Sequence, residues 1–215
     1  MIFKNNETIV FAGDSITDCG RLRPDGEGSL AVNPYGNGYV ALTFAYLHAK
    51  YSRLRLRIVN KGISGDRSAD LLNRYHDILS LQPDWIILMI GINDVWRHFD
   101  SPEKKDLHID KTVYRNNVET IINRNKEEKV KTIVLSLFMI ENDRGNRMRK
   151  MADEYRFVLR DLVQNHNLPY IDIQECFDSA LDNPGLYELS PDGVHPNIIG
   201  HMIIMQALMA YSEAH

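Results

Sequence analysis

Short apolar runs alternate along the chain with longer segments in which apolar residues recur every three or four positions. The apolar runs predict five strands, at residues 8–12, 55–60, 85–90, 131–137 and 168–172. The intervals between them mostly carry the amphipathic pattern of helices. Strands that alternate with helices are typical of a parallel sheet covered on both faces. We therefore predict an α/β fold, a three-layer α/β/α sandwich with a five-stranded parallel sheet.

Four amphipathic segments define the predicted helices. They run from about Tyr39 to Tyr51, Val113 to Asn125, Met148 to His166 and Asn197 to Ser212. In the third segment, Met151, Tyr155 and Leu162 fall on one stripe that can face the sheet. The basic stretch from Arg144 to Lys150 is predicted to be the solvated start of that helix.

Each of the first three predicted strands is followed by a polar loop that contains glycine. Gly13-Asp14-Ser15-Ile16 follows the first strand, residues 60–66 (NKGISGD) follow the second, and residues 91–94 (GIND) follow the third. Open parallel sheets bind their ligands at the carboxyl ends of the strands, so these loops should meet at one site. Ser15 stands at that edge, where its hydroxyl can attack a bound acyl group.

A base and an acid for Ser15 are found near the other end of the chain. Serine is a poor nucleophile until a base within about 2.6–3.2 Å takes its proton. His195 is the predicted base because Asp192, three residues earlier, can accept a hydrogen bond from the imidazole and fix its tautomer. The remaining histidines are expected to be surface or core residues. The predicted catalytic residues are therefore Ser15, Asp192 and His195.

These segments together resemble the sequence blocks of the SGNH, or GDSL-type, hydrolase superfamily, in order and across the whole chain. Residues 13–21 (GDSITDCGR), 59–65 (VNKGISG) and 89–97 (MIGINDVWR) are most similar to the branch of intracellular acetyl-xylan and acetyl-xylo-oligosaccharide esterases. The resemblance implies the flavodoxin-like SGNH-hydrolase fold. The serine does not lie in the Gly-x-Ser-x-Gly elbow of α/β-hydrolases, which argues against an ordinary lipase.

The same resemblance implies an oxyanion hole formed by the backbone N–H groups of Ser15 and Gly65 and the side-chain amide of Asn93. Such donors stabilise the negative charge that develops on the substrate oxygen. From the residues alone Gly62 is a rival of Gly65, because either glycine can serve a tight turn with positive φ. Asp14 and Asp94 are predicted to cap or brace these turns.

Four residues are predicted to contact the substrate, namely Asp14, Arg21, Trp96 and Arg97. Trp96 and Arg97 directly follow the loop of Asn93 and are suited to stack on a sugar or to form hydrogen bonds with it. Packing in the wall of the site explains Trp96 equally well.

Two irregular segments should border the same site. The polar loop at residues 18–38 is too long for an ordinary connection, and Arg21, Arg23 and Glu27 are predicted to wall the active site or to contact a neighbouring subunit. Residues 138–146 follow the fourth strand and form a predicted rim element.

Composition excludes several classes of protein. With 215 residues and 44% hydrophobic content, residues 1–215 are predicted to form a single domain. A net charge of −4 and a pI near 6.1 give no basic excess for nucleic acid. The sequence shows neither an export signal nor an apolar stretch of about 18 residues, which predicts a cytoplasmic protein without a membrane partner. Cys19 and Cys176 are predicted to be free thiols without metal-ligand spacing.

The predicted activity is that of a serine esterase that removes O-acetyl groups from carbohydrates, in particular acetylated xylo-oligosaccharides, through an acyl-enzyme on Ser15. No metal or organic cofactor is expected. The expected partner is this small acylated molecule, and the long loops offer contact surface for a homo-oligomer.

Three other functions fit the sequence less well. A lysophospholipase or acyl-thioesterase needs an extended apolar groove, and the loops after Ser15, Asn93 and Phe138 have too few large apolar residues to indicate one. A catalytically silent carbohydrate-binding protein is disfavoured by the intact set of site residues. A nucleotide- or FMN-binding protein is disfavoured because the first loop has neither a Gly-x-Gly-x-x-Gly nor a Walker pattern.

Overall fold

The strands are runs of mostly buried residues, as a parallel sheet covered on both faces requires. The computed structural model describes residues 1–22, 33–182 and 188–215. Within those ranges the strands are β1 (Thr8–Gly13), β2 (Arg57–Asn60), β3 (Trp85–Met89), β4 (Lys131–Leu135) and β5 (Tyr170–Ile171). All neighbours pair in parallel, in the order β2-β1-β3-β4-β5. The predicted five-stranded parallel sheet is confirmed.

The helices connect and cover these strands. They are α1 (Ser15–Asp18), α2 (Tyr39–Lys50), α3 (Ser68–Asn73), α4 (Tyr75–Leu79), α5 (Ile92–Asp100), α6 (Lys111–Glu127), α7 (Arg147–Asn165), α8 (Ile173–Leu181) and α9 (Ile198–Ala214). Short 3₁₀ turns span Ser52–Leu54 and Lys105–Leu107. In the described part of the chain, no helix has the length and apolar character needed to cross a membrane.

The strand order places the helices in two layers. The chain moves from β1 to β2 in one direction and from β3 through β4 to β5 in the other. Because crossovers between parallel strands are right-handed, α2 lies on one face of the sheet and α6 and α7 lie on the opposite face. α2 packs against α9, while α6 packs against α3 and α7. This arrangement confirms the predicted three-layer sandwich.

Several element boundaries differ from the predictions. The fourth strand was predicted to extend to residue 137, but β4 ends at Leu135. The prediction is too long because Leu137 and Phe138 are buried although they lie beyond the strand. The predicted strands at residues 55–60, 85–90 and 168–172 are also longer than β2, β3 and β5. A buried apolar residue extends a predicted strand even where the chain has already left the sheet.

The start of α7 corrects the prediction for the basic stretch. The helix begins at Arg147 with Asn146 as its N-cap, so the stretch does contain a helix start. Arg149, however, is 1% exposed. Its guanidinium group pairs with Asp153 (3.0 Å) and Asp178 (2.9 Å). Burial of this charge is possible because two carboxylates and a backbone carbonyl compensate for lost water.

His201 connects α9 to the residues around Ser15. Its Nδ1 accepts the N–H of Tyr39 (3.2 Å), so the ring proton resides on Nε2, which faces the Sγ of Cys19 at 3.3 Å. Burial, with a smaller contribution from the charge of His195, lowers the pKa of His201 from 6.5 to about 4. The imidazole therefore stays neutral in the folded protein at neutral pH.

This burial predicts an acid-sensitive contribution to stability. The unfolded chain takes up a proton on His201 near pH 6.5, whereas the folded chain does so only near pH 4. The unfolded state thus binds more protons in this window, and the free energy of unfolding should fall by up to about 3 kcal/mol as pH drops through it. Urea unfolding of wild type and His201→Gln at about pH 7 and about pH 4.5 measures this. An equal loss in both proteins would contradict the prediction.

Candidate active site

The site lies where the strand order reverses, between β1 and β3, which is where open parallel sheets bind ligands. Gly13 ends β1 beside Met89, the last residue of β3. A Cβ on Gly13 would stand 2.3 Å from Thr17 Oγ1 and 2.4 Å from the carbonyl oxygen of Met89. Only glycine permits this close approach, which delivers Ser15 to the edge of the sheet.

Ser15 is the first residue of the short helix α1. Asp14 is the N-cap, and its carboxylate accepts the N–H of Ile16 at 3.0 Å. The N–H of Ser15 is one of the first N–H groups of this helix, which have no partner within the helix. The Ser15 side chain is half-buried, and its Oγ lies 2.9 Å from Nε2 of His195.

Asp192 and His195 form a second short contact. Oδ2 of Asp192 lies 2.7 Å from Nδ1 of His195, while Oδ1 accepts the N–H groups of Val194 (2.9 Å) and His195 (2.8 Å). Partial burial disfavours the charged form of Asp192, but these hydrogen bonds outweigh burial and lower its pKa to about 2. The ionised carboxylate accepts the Nδ1 proton, and this tautomer leaves the Nε2 lone pair facing Ser15.

The structure distinguishes Gly65 from its rival Gly62. The N–H of Gly62 donates to Asn60 Oδ1 at 2.9 Å. Gly65 has φ of +88° in a turn closed by the N–H of Asp66 and the carbonyl of Ile63 (3.2 Å). No acceptor within residues 1–22, 33–182 and 188–215 takes the N–H of Gly65. This N–H is therefore the one available to a ligand.

Asn93 is buried beside this turn. Its Nδ2 donates to the carbonyl of Asp66 at 3.0 Å, which uses one of the two amide protons. The sequence predicted that Asn93 lies in a loop, but Asn93 is the second residue of α5. The helix fixes the side chain more rigidly than a loop would.

Two buried carboxylates brace the site, as predicted for the first and third loops. Asp94 accepts the N–H of Ser68 (2.9 Å) and its hydroxyl (2.5 Å), which ties α5 to α3. Burial raises the pKa of Asp14 and of Asp94 to about 7. Asp14 is 1% exposed. Its side chain is buried in the cap of α1, and its predicted contact with substrate stays a prediction.

Asp18 is a bracing residue that the sequence did not reveal. Its Oδ2 accepts the N–H of Ser64 at 3.0 Å, which joins α1 to the turn of Gly65. Arg21 makes a parallel connection, since its Nε donates to the carbonyl of Gly62 at 2.9 Å. The only sequence signal for Asp18 was its position three residues after Ser15, which places both on one turn of helix.

A cavity of about 560 Å³ opens beside Ser15. It is lined by Ser15, Asp18, Cys19, Gly20, Arg21, Leu22 and Ser64. Arg21 borders this cavity although its side chain is largely buried, and its role as a substrate contact stays a prediction. Arg23 and Glu27, predicted as further wall residues, lie outside the described residues.

Trp96 lies beside the imidazole of His195, and Arg97 lies beside the turn of Gly65. The ring centroid of Trp96 is 5.5 Å from that of His195. Arg97 pairs with Asp100, and its Nη2 lies 3.9 Å from the point a Cβ on Gly65 would occupy. Both side chains are partly exposed, so they border the place where substrate would reach Ser15. The predicted substrate contact stays a prediction for both.

Residues 138–146 lie where the rim was predicted. The N–H of Ile140 donates to the carbonyl of Gly193 at 2.7 Å, which joins this segment to the loop of Asp192 and His195. Both cysteines, Cys19 and Cys176, are free thiols as predicted. Within the described ranges, no group of three or more histidine, cysteine or acidic residues is placed to hold a metal ion.

Comparisons with known proteins agree with this geometry. Residues 11–203 match the model of the GDSL-like lipase/acylhydrolase family. The chain is 39% identical over 206 residues to an acetylxylan esterase of Geobacillus stearothermophilus, covering 95% of this chain and 93% of that protein.

Solved structures of other hydrolases are also similar to this chain. LAE5, an α/β hydrolase enzyme from the metagenome of Lake Arreo, superimposes with a TM-score of 0.94 at 38% identity, covering 99% of this chain and 98% of that one. Axe2, an acetylxylan esterase from G. stearothermophilus, gives 0.92 at 38% identity, covering 98% and 95%. Structures of Axe2 include catalytic mutants of one serine, one aspartate and one histidine. The chain belongs to the GDSL-like lipase/acylhydrolase family and is a carboxylic-ester hydrolase.

Proposed function

We propose that the protein is a serine esterase that removes O-acetyl groups from carbohydrates, with acetylated xylo-oligosaccharides as its substrates. The observation that carries the proposal is the pair of contacts from Ser15 Oγ to His195 Nε2 (2.9 Å) and from His195 Nδ1 to Asp192 Oδ2 (2.7 Å). The identity of 39% to an acetylxylan esterase supports the choice of substrate.

The reaction runs through an acyl-enzyme. His195 takes the hydroxyl proton as Ser15 attacks the ester carbonyl, and ionised Asp192 stabilises the imidazolium that forms. The backbone N–H groups of Ser15 and Gly65 and the free amide proton of Asn93 donate to the oxyanion. The imidazolium of His195 then gives its proton to the departing sugar oxygen, which leaves as a hydroxyl, and water activated by the same imidazole attacks the acyl-enzyme and releases acetate.

The cavity beside Ser15 favours a short acyl group. Its lining combines Leu22 with the polar side chains of Asp18, Arg21 and Ser64. A long acyl chain placed there would cover the exposed side chain of Ser64 without a new hydrogen bond and would lie against the charged groups of Asp18 and Arg21, which costs free energy. Outside this lining, Trp96 and Arg97 offer a ring face and donors to the sugar, the contacts that we propose for both residues.

Acetate release from acetylated xylo-oligosaccharides, measured beside cleavage of a decanoyl ester, tests the substrate. We expect acetate release that depends on Ser15, with little decanoyl cleavage. Preference for the decanoyl ester would assign the protein to lipid or thioester substrates instead. The Ser15→Ala variant is the control in both assays, and absence of turnover in wild type on every ester would exclude the esterase altogether.

Asn93→Ala should lower kcat about a hundred- to a thousandfold with little change in KM. The amide bonds most strongly to the oxyanion, which exists only in the transition state, so its loss falls on kcat. Steady-state kinetics on an acetate ester measures both constants. Asn125→Ala is the matched control, because Asn125 is equally buried and bonds Tyr75 and Thr132 at the opposite edge of the sheet. A rise in KM with unchanged kcat would remove Asn93 from the oxyanion hole.

We further propose that residues 1–215 act as one catalytic domain in the cytoplasm. The family match over residues 11–203 supports the single domain, and two free thiols fit a reducing compartment. The homo-oligomer stays a prediction, which sedimentation of the purified protein measures directly.

A further inference from the structure

The loop that carries Asp192 and His195 is anchored from the segment after β4. The N–H of Ile140 donates to the carbonyl of Gly193 at 2.7 Å. Gly193 separates Asp192 from Val194, whose N–H binds the Asp192 carboxylate at 2.9 Å. A shift of Ile140 would therefore move the carboxylate that orients the imidazole.

The segment after β4 has no neighbouring strand to pair with in the described residues, and the side chain of Gln174, on α8, makes hydrogen bonds to it instead. Its Oε1 accepts the N–H of Met139 at 2.7 Å, and its Nε2 donates to the carbonyl of the same residue at 2.9 Å. This two-point contact pairs Met139 as a strand partner would. Gln174 is 1% exposed. Water therefore cannot replace the two hydrogen bonds if the amide is removed.

Gln174 is fixed in turn by two charged side chains. Its Nε2 also donates to Oδ1 of Asp178 at 2.9 Å. Arg149 donates to both oxygens of that carboxylate, each at 2.9 Å, and to the carbonyl of Glu141 at 3.0 Å. The guanidinium group of Arg149 therefore connects the Asp178 carboxylate of α8 to the rim segment. The amide of Gln174 has one orientation that satisfies all these partners.

We propose that Gln174 is a positioning residue for the Asp192–His195 pair, a role that rests on the esterase function proposed above. It acts through Met139, Ile140 and Gly193 and touches neither substrate nor the reacting atoms. Its loss should therefore change the rate of the chemical step and leave substrate binding unchanged.

Gln174→Met, which keeps the side-chain length, tests this role. We expect kcat for p-nitrophenyl acetate to fall about ten- to a hundredfold with KM unchanged, because a displacement of about 1 Å in a catalytic group has an effect of this size. The downfield proton resonance of His195 Nδ1, which reports the hydrogen bond to Asp192, should shift or broaden. The matched control is Asn125→Leu, which removes a buried amide far from the site and should retain both kcat and the resonance.

Wild-type kcat and an unchanged resonance in Gln174→Met would overturn the proposal, as would equal losses in Asn125→Leu. If Gln174→Met does not fold, Gln174→Glu decides the question. That side chain keeps the acceptor for the Met139 N–H, and its carboxyl regains a donor for the Met139 carbonyl only when protonated. The ratio of its kcat to that of wild type should rise from about pH 8 to about pH 6, since burial and the charge of Asp178 favour the neutral acid while Arg149, which is already paired with Asp178, opposes this only in part. A ratio independent of pH would reject the role.

The test separates this inference from the proposed function. Wild-type protein that cleaves p-nitrophenyl acetate but no acetylated sugar would overturn the substrate and leave the assignment of Gln174 to be judged on the same variants. If wild-type protein shows no Ser15-dependent turnover, the proposed esterase function is overturned. The Nδ1 resonance would still report whether Gln174 positions the Asp192–His195 pair.

Discussion

Ser15→Ala should lower kcat for acetate release by about four to six orders of magnitude while the protein remains folded. The hydroxyl is the atom that forms the acyl-enzyme, and its Oγ is already 2.9 Å from the imidazole nitrogen that takes its proton. Removal of one partly exposed oxygen leaves no large cavity, so the thermal midpoint should stay close to that of wild type. Single-turnover kinetics with p-nitrophenyl acetate and a thermal melt measure the two quantities.

Ser212→Ala serves as the control for this substitution. Its hydroxyl is buried and donates to the carbonyl of Leu208 within α9, so it tests the loss of a serine oxygen away from the site. Turnover in Ser15→Ala within about tenfold of wild type would mean that another group is the nucleophile, because the residual rate from binding and the oxyanion hole alone is much lower.

The sequence predicted those features that depend on short segments. The strands follow from short runs of mostly apolar residues, and the bracing role of Asp14 follows from its place in the polar, Gly-bearing turn after the first strand. The contact between Ser15 and His195 joins residues 180 positions apart. It became predictable only because parallel strands bring their carboxyl ends to one edge and because the sequence resembles a family with known blocks.

Features that depend on distant partners were missed. Arg149 has the sequence context of a solvated residue, and its burial depends on Asp178, which lies on another helix. The position of Gln174 likewise follows from the path of residues 138–141. Local hydropathy carries no information about such pairs.

Helix α5 was missed for a different reason. Its residues Ile92, Val95, Trp96 and Phe99 recur at helical spacing, but the segment also carries Asn93 and Asp94, which are typical of loops. Polar residues at the start of a helix that faces an active site conceal the helical pattern. The consequence is functional, because Trp96 and Arg97 stand three and four residues after Asn93 and therefore share one face of this helix with it.

His195→Ala should lower kcat as severely as Ser15→Ala, and the double variant should be no slower than either single variant. Both residues act in the same proton transfer, so once one is absent the other contributes nothing further. Asp192→Asn should lower kcat by about four orders of magnitude, because the amide no longer selects the Nδ1 tautomer of His195. Kinetics of the three single variants and the double variant, measured side by side, check this pattern.

The pH dependence of the same proteins separates the roles of the acid and the base. With a pKa of about 2, Asp192 stays ionised throughout the range in which the protein is assayed. Loss of wild-type activity on acidification should therefore follow protonation of the His195 imidazole, which then cannot accept the Ser15 proton. The residual activity of His195→Ala should lack this acid limb. An unchanged limb in that variant, or losses in the single variants that multiply in the double variant, would show that His195 and Ser15 do not act as one unit.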